Sequence, residues 1–189
     1  MKAKIISAVI KDGKARQITV NTELTPGIGI HIVGMNDISI RTFLLMTIRA
    51  MQNEEFRIPG RKICLVFEPE VTDYDGNYFE FPAAVGIIVA SGQARLRELD
   101  RCILTGRLDS DGRLGDLPNP RALAEYARER DEGILSSCTS STVAFFCQLT
   151  QRKQITVDNV IFQLLFYTGR GFGAQRFQIC QFFIADKIE

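Results

Sequence analysis

The segment from Phe79 to Gly92 constrains the fold more than any other part of the chain. Its sequence is FEFPAAVGIIVASG, and the apolar residues Phe81, Val85, Ile88 and Val89 leave little room for a polar face. A helix this apolar is typical of one buried against a sheet, because an exposed helix needs a polar stripe. The segment therefore predicts a sheet protein with at least one fully covered helix over residues 79–91.

The rest of the chain alternates strand-like and helix-like patterns. An Asp12-Gly13 turn joins two apolar runs and predicts a hairpin. The predicted strands are 3–10, 16–24, Ile28–Val33, Lys62–Phe67, Cys102–Leu108 and Gly133–Leu135, and the further helices follow Asp37 and span Pro120–Arg130, Ser140–Thr150 and Asp158–Phe166. This order predicts an α+β (α/β) fold with a mixed sheet packed by helices, in one domain over residues 1–167.

Composition excludes the simplest argument for nucleic-acid binding. The 189 residues carry a net charge of +1, whereas a surface built to bind phosphate backbones is strongly basic. No apolar run reaches the length of a membrane span, and no signal peptide is evident. We therefore expect a cytoplasmic protein with no membrane association.

Cysteine and histidine usage offers no metal or redox site. The five cysteines are widely spaced, odd in number and flanked by apolar residues, which is typical of reduced thiols used as small core residues. The single histidine, His31, lies in a strand-like alternation without an evident Asp or Ser partner. We expect structural roles for these residues, and no metal or cofactor.

Several short motifs, taken in order, resemble the N-terminal domain of the ComM and magnesium-chelatase ChlI-like proteins. Leu24-Thr25-Pro26-Gly27 resembles the family's Leu-Ser-Pro-Gly, and Phe79–Ile87 resembles its Phe-Asp-Leu-Pro-Ile-Ala-Leu-Gly-Ile. Ile32–Asp37, Ile48–Asn53 and Gly106–Leu114 also match in order and spacing. The resemblance covers most of residues 1–167. It implies the fold shared by the Lon proteolytic domain and the second domain of ribosomal protein S-five.

In the proteins that this chain resembles, such a domain accompanies an ATPase of the AAA+ class. Such an ATPase needs a glycine-rich loop that ends in Lys-Ser or Lys-Thr, which holds the phosphates and magnesium. No segment fits this pattern: Gly169–Gly173 has the glycines but no lysine. We expect no ATP hydrolysis by these residues, and the ATPase is either lost or supplied by another chain.

Lon-type proteolysis requires a serine nucleophile and a lysine that accepts its proton. The resemblance places the nucleophile at Asn77 or Tyr78 and the base at Arg121 or Ala122, so neither partner is present. Arginine stays charged and cannot act as a base. A relocated dyad built on Ser91 or Ser110 is the alternative, although Ser91 fits a helix end and Ser110 a turn.

Two charged groups are interpreted as solvated surface. The acidic residues between Glu68 and Glu80 match no calcium-loop spacing. Arg121, Arg128 and Arg130 share one helix, where they form a candidate interaction surface.

Residues 168–189 extend beyond the family match. Phe177 and Phe183 lie in an aromatic, β-prone run that is almost free of charge. Such a run either adds a strand to the domain's own sheet, which we favour, or docks on another subunit.

The sequence therefore predicts a pseudoenzyme of the ChlI/ComM type that works in binding or assembly, with itself, with a separate AAA+ ATPase or with a nucleic acid–protein assembly. The resemblance to ComM implies competence as the process. One alternative is a Lon-type serine peptidase with displaced catalytic residues. The other is a nucleic-acid-binding module.

Overall fold

A mixed six-stranded sheet forms the centre of the protein. The computed structural model describes residues 1–35, 37–71, 79–94, 102–108, 119–130 and 133–135. The strands are β1 (Lys2–Lys11), β2 (Lys14–Thr25), β3 (Ile30–Met35), β4 (Lys62–Val71), β5 (Cys102–Leu104) and β6 (Gly133–Leu135), and the helices are α1 (Asp37–Asn53), α2 (Glu80–Ala90) and α3 (Pro120–Glu129). The strand order is β3-β4-β2-β1-β5-β6.

Parallel and antiparallel pairs are mixed in this sheet. The β1–β2 hairpin and the β2–β4 pair are antiparallel, whereas β3–β4, β1–β5 and β5–β6 are parallel. Asp12 and Gly13 both have positive φ at the hairpin turn, as an Asp-Gly two-residue turn requires. This confirms the α+β class predicted from the sequence.

The main core lies between one face of the sheet and the helices α1 and α2. Alternate residues of β2 and β4, such as Val20, Leu24 and Leu65, are buried on this face. Phe67 on β4 contacts Phe43 of α1 and Phe79 at the start of α2, with ring centroids 5.9 and 5.3 Å apart. These edge-to-face contacts join both helices to the centre of the sheet.

Helix α2 lies so close to the sheet that one position excludes a side chain. A Cβ at Gly86 would collide with Thr22 Oγ1 on β2 and would also touch Ile5 on β1. Nearly every residue of α2 is buried, so the helix predicted from its apolar run is confirmed.

Helix α3 packs against β1, β2 and β6. Ala8 and Ile10 of β1 point away from the main core, yet both are buried, which places α3 on the second face of the sheet. The side chain of Asn119 caps the helix, with Oδ1 accepting from Ala122 N at 3.4 Å, and Pro120 occupies the first turn.

Several boundaries differ from the sequence prediction. Strand β2 begins at Lys14, and β3 runs from Ile30 to Met35 instead of from Ile28 to Val33. The strand predicted over Cys102–Leu108 ends at Leu104, because Gly106 has a φ of 149° and its carbonyl turns to α2. Strand β4 continues beyond Phe67 to Val71. The helices predicted at Ser140–Thr150 and Asp158–Phe166, and the C-terminal strand in 168–189, lie outside the described residues.

Candidate functional site

The beginning of α2 meets the segment that follows β5 at one end of the sheet. Phe81 N donates a hydrogen bond to Gly106 O at 3.2 Å. Thr105 Oγ1, one residue earlier, donates to Ala8 O on β1 at 3.2 Å. These two contacts fix the first turn of α2 against the ends of β1 and β5, where a Lon-type site would be expected from the resemblance.

Glu80 is the one acidic residue buried in the described part of the chain. Its side chain lies in the first turn of α2, and the residue is 1 % exposed. Its Oε2 atom has no hydrogen-bond partner among the described residues. A buried carboxyl with a free oxygen is costly when charged, so this position is chemically distinct from every other acid described.

Burial raises the pKa of Glu80 from 4.5 to about 7. Backbone hydrogen bonds at Glu80 and Phe79 and the positive charge of Arg107 lower the pKa, but they offset only part of the desolvation. Arg107 itself is exposed beside Gly106. The carboxyl is therefore poised to change its charge near neutral pH.

The first turn of α2 contains no nucleophile. Its residues are Glu80, Phe81, Pro82 and Ala83, none of which carries a hydroxyl or a thiol. All four are buried, so this turn forms no open cleft. Asn77 and Tyr78, the residues predicted at the nucleophile position, lie outside the described residues.

The predicted base position lies at the start of α3. Arg121 is exposed and its Nε atom is 2.9 Å from Glu125 Oε1, an ion pair within the same helix. The side chain of Ala122 has no group that accepts a proton, and its backbone N–H donates a hydrogen bond to Asn119 Oδ1. A guanidinium already paired on the surface does not act as a proton acceptor.

Ser91, the first alternative nucleophile, has a structural role at the end of α2. Its Oγ atom donates to Ile88 O at 3.0 Å and accepts from Gln93 Nε2 at 2.7 Å. The hydroxyl therefore caps the helix, as its sequence position predicts. Ser110 lies outside the described residues.

The structure describes the arginines of the candidate interaction surface at α3, but not its two phenylalanines. Arg128 is exposed. Arg130 lies over the ring of Tyr126, with 5.0 Å between its Cζ atom and the ring centroid, which is a cation–π distance. Phe177 and Phe183 lie outside the described residues.

The acidic residues between Glu68 and Glu80 do not act as one group in the described chain. Glu68 accepts a hydrogen bond from Asn21 Nδ2 at 2.9 Å on the sheet surface, whereas Glu80 is buried beneath the first turn of α2. Asp73 and Asp75 lie outside the described residues. Within the described ranges, no three residues among His, Cys, Asp and Glu are grouped to hold a metal.

The thiols and the histidine that the structure describes are dispersed. Cys64 and Cys102 lie on different strands, the first half-buried and the second buried. His31 is exposed on the edge strand β3. None of the helices built from described residues has the length and apolar character needed to cross a bilayer.

Sequence reasoning grouped Glu80 with the solvated acids and so missed its burial. A signal was present, since the residue stands between Phe79 and Phe81 at the start of an apolar run. An acid in the first turn of a fully buried helix has few routes to solvent.

Comparisons with known proteins relate this chain to one family. A family model described as subunit ChlI of Mg-chelatase matches residues 5–137. The uncharacterized protein YifB of Escherichia coli is 27% identical over 122 residues, which cover 64% of this chain and 24% of YifB. The competence protein ComM of Haemophilus influenzae is 24% identical over 152 residues, or 79% of this chain and 30% of ComM. The chain thus spans between about a quarter and a third of the length of these relatives.

Proposed function

Because the chain belongs to the family of the Mg-chelatase subunit ChlI, we propose that it is a non-catalytic module that acts in binding or assembly with an AAA+ ATPase. The ATPase would be carried by another polypeptide. We further propose that residues 1–167 form a domain of the Lon proteolytic type, and that the protein works in the cytoplasm. The similarity to a relative named for competence motivates a role in that process.

The start of α3 is the observation that carries this proposal, since the resemblance places the base there and the structure describes Arg121 and Ala122 at that position. A Lon-type peptidase needs a hydroxyl at the start of its buried helix and a lysine nearby. Here the first turn of α2 is closed and contains a buried acid, and Arg121 at the start of α3 is paired with Glu125. Ser91 is engaged in capping. These described elements contain no serine–lysine pair, which supports the non-catalytic part of the proposal.

A serine-directed activity probe tests the non-catalytic part of the proposal. The full chain is incubated with a fluorophosphonate probe and, separately, with unfolded casein, alongside a Lon protease as the positive control. We expect neither labelling nor cleavage. Labelling that disappears in the Ser91→Ala variant would overturn the proposal in favour of a displaced peptidase, and labelling that remains would place the nucleophile elsewhere in the chain.

The binding part of the proposal is tested with the exposed face of α3. The full chain is titrated against a ComM-type protein that lacks its own ChlI domain, and binding is followed by isothermal calorimetry. We expect binding that weakens at least several-fold in Arg128→Glu, because the charge reversal alters an exposed face without touching the core. Lys14→Glu, an equal charge reversal at the exposed β1–β2 hairpin, is the matched control and should bind as the wild type does.

The outcomes test separately whether an ATPase binds this chain and whether the α3 face is where it binds. Absence of binding by the wild type would contradict an ATPase partner. Equal weakening by Arg128→Glu and Lys14→Glu would show that net charge, not the α3 face, governs the association.

A further inference from the structure

A cleft lies on the second face of the sheet, toward the beginning of β1. It has a volume of about 410 Å³, and residues of three adjacent strands line it: Lys2, Ala3 and Lys4 of β1, Asn21, Thr22 and Glu23 of β2, and Cys64 and Val66 of β4. Ala8 and Ile10, which α3 covers, lie farther along β1, so the cleft lies toward the end of this face away from them. A space of this size is within the range of sites that hold a small molecule.

The strand registers place the side chains of this cleft in two rows. The rows cross the three strands and consist of Lys2, Glu23 and Cys64, and of Lys4, Asn21 and Val66. Leu24 and Leu65, the alternate residues of β2 and β4, are buried in the main core, so both rows project from the opposite face. Neighbouring strands are 4.7–4.9 Å apart, which gives the cleft a floor about 10 Å wide.

The charges that line the cleft do not cancel. Lys2 Nζ is 3.2 Å from Glu23 Oε1, so these two side chains neutralise each other. Lys4 has no carboxylate within ion-pair distance in the part of the chain that the structure describes. Glu68, on the next same-face position of β4 after Val66, accepts a hydrogen bond from Asn21 Nδ2 at 2.9 Å. The ammonium group of Lys4 is therefore the unbalanced charge among the residues that line the cleft.

The β4 side of the cleft is apolar. The side chains of Cys64 and Val66 lie two residues apart on β4, and both are half-buried. The cleft thus has an apolar surface on one strand and a positive charge two strands away, on β1. Ligand sites commonly combine a mostly apolar lining with a few polar groups that fix the orientation of the ligand.

We propose that this cleft binds a small molecule that carries one carboxylate on a flat apolar body. The carboxylate binds the ammonium group of Lys4, and the apolar body lies on Cys64 and Val66. One unbalanced ammonium matches a singly charged group, whereas a doubly charged phosphate would also be repelled by the carboxylate of Glu23. This inference does not rest on the proposed function, because it involves neither the α3 face nor the first turn of α2.

The thiol of Cys64 reports whether the cleft is occupied, since it is half-buried in the lining. The full chain is alkylated with iodoacetamide, an uncharged reagent, and mass spectrometry of the cysteine peptides follows the reaction over time. We expect para-nitrobenzoate to slow the alkylation of Cys64 several-fold, with saturation. The uncharged analogue para-nitrobenzamide should protect much less. Cys102, which is buried on β5, is the reference thiol, and its alkylation should not respond to either compound.

A pair of charge variants tests where the carboxylate binds. Lys4→Gln should raise the benzoate concentration that gives half-maximal protection several-fold, because it removes the unbalanced ammonium group. Lys14→Gln removes an equal charge at the exposed β1–β2 hairpin and should be protected as the wild type is. Far-ultraviolet circular dichroism confirms that each variant is folded.

Four results would overturn the proposal. Equal alkylation of Cys64 with and without the benzoate would show that the compound does not occupy the cleft, and no alkylation at all would show that the cleft is closed. Equal protection by the benzamide would show that the carboxylate is not recognised. An equal loss of protection in Lys4→Gln and Lys14→Gln would show that net charge, not Lys4, attracts the anion.

Discussion

Helices α2 and α3 flank the same sheet but have opposite surroundings. Along α2 nearly every residue is buried, and only Val89 among its apolar residues is half-exposed. Helix α3 buries Leu123, Ala124 and Ala127 on one side, while its charged residues lie toward solvent. Among the described residues, one helix is part of the interior, and the other covers the sheet with an exposed outer face.

This difference decides what the ionisable group at each helix start can do. Glu80, in the first turn of α2, has lost water without gaining a full set of partners, and its pKa is about 7. Arg121, in the first turn of α3, keeps its water and pairs with Glu125 within its own helix. Residue type alone does not define a site, because burial gives the glutamate a property that the exposed arginine lacks.

The largest effect should come from emptying a core position on α2. Ile87 is fully buried between α2 and the sheet, so Ile87→Ala should lower the free energy of unfolding by about 2–5 kcal/mol. Val89→Ala on the same helix, at a half-buried position, should cost roughly 1 kcal/mol or less, because little buried volume is lost. Urea denaturation measures the loss in the free energy of unfolding for each variant. Equal losses would show that α2 is not buried as described.

The next effect should come from the charge on Glu80. Folding holds its pKa near 7, whereas the unfolded value is about 4.5, so the folded state keeps a proton that the unfolded state releases. The wild type should therefore lose stability as pH rises from 4.5 to 7 and stay at the lower level above 7. This difference between the folded and unfolded pKa of Glu80 corresponds to a loss of about 3 kcal/mol in the free energy of unfolding above pH 7.

Glu80→Gln should remove that penalty, because the amide is uncharged at every pH. The difference in unfolding free energy between variant and wild type should rise in favour of the variant across this pH range. Chemical denaturation at closely spaced pH values measures it, and the difference cancels the titration of groups shared by both chains. A constant difference from pH 4 to 8 would mean that Glu80 ionises normally in the folded protein.

The elements of the fold were predictable where one local cause dominates. The Asp12-Gly13 turn fixed the β1–β2 hairpin, and the apolar run from Phe81 to Val89 indicated a buried helix. The helix predicted after Asp37 is confirmed as α1, and its side chains Phe43 and Met51 are buried. The early end of β5 was not predictable, since it depends on the carbonyl of Gly106 accepting from α2, a contact distant in sequence.

The candidate site was less predictable than the fold. The sequence indicated Arg121 as exposed and Ser91 as a helix end, and both are confirmed because these roles depend on residues within one helix. The burial of Glu80 was missed although Phe79 and Phe81 flank it, because burial depends on how α2 packs on the sheet and an acid in a first turn is usually exposed. The place of β3 at the end of the strand order is also not encoded locally, because the same alternation would suit a central strand.

A third effect should come from filling the close approach between α2 and β2. Gly86→Ala places a methyl group against Thr22 Oγ1, which is buried and cannot move into solvent. The clash should outweigh the better helix propensity of alanine and cost about 1–3 kcal/mol. The double variant Gly86→Ala/Thr22→Ala removes the colliding hydroxyl and should recover part of this loss in a double-mutant cycle. Independent, additive effects would show that the two residues are not in contact.

The smallest effect should come from the exposed ion pair at the start of α3. Arg121 and Glu125 are neighbours on one helix with their side chains 72% and 45% exposed, so water screens their attraction. Arg121→Ala should therefore lower stability by about 0.5 kcal/mol, and the loss should shrink in high salt. Arg128→Ala on the same helix is the control for the loss of one exposed arginine. Thermal unfolding at low and high salt measures both. A loss several times larger for Arg121 alone would show that its guanidinium holds a partner beyond Glu125, and α3 would then share the constrained character of α2.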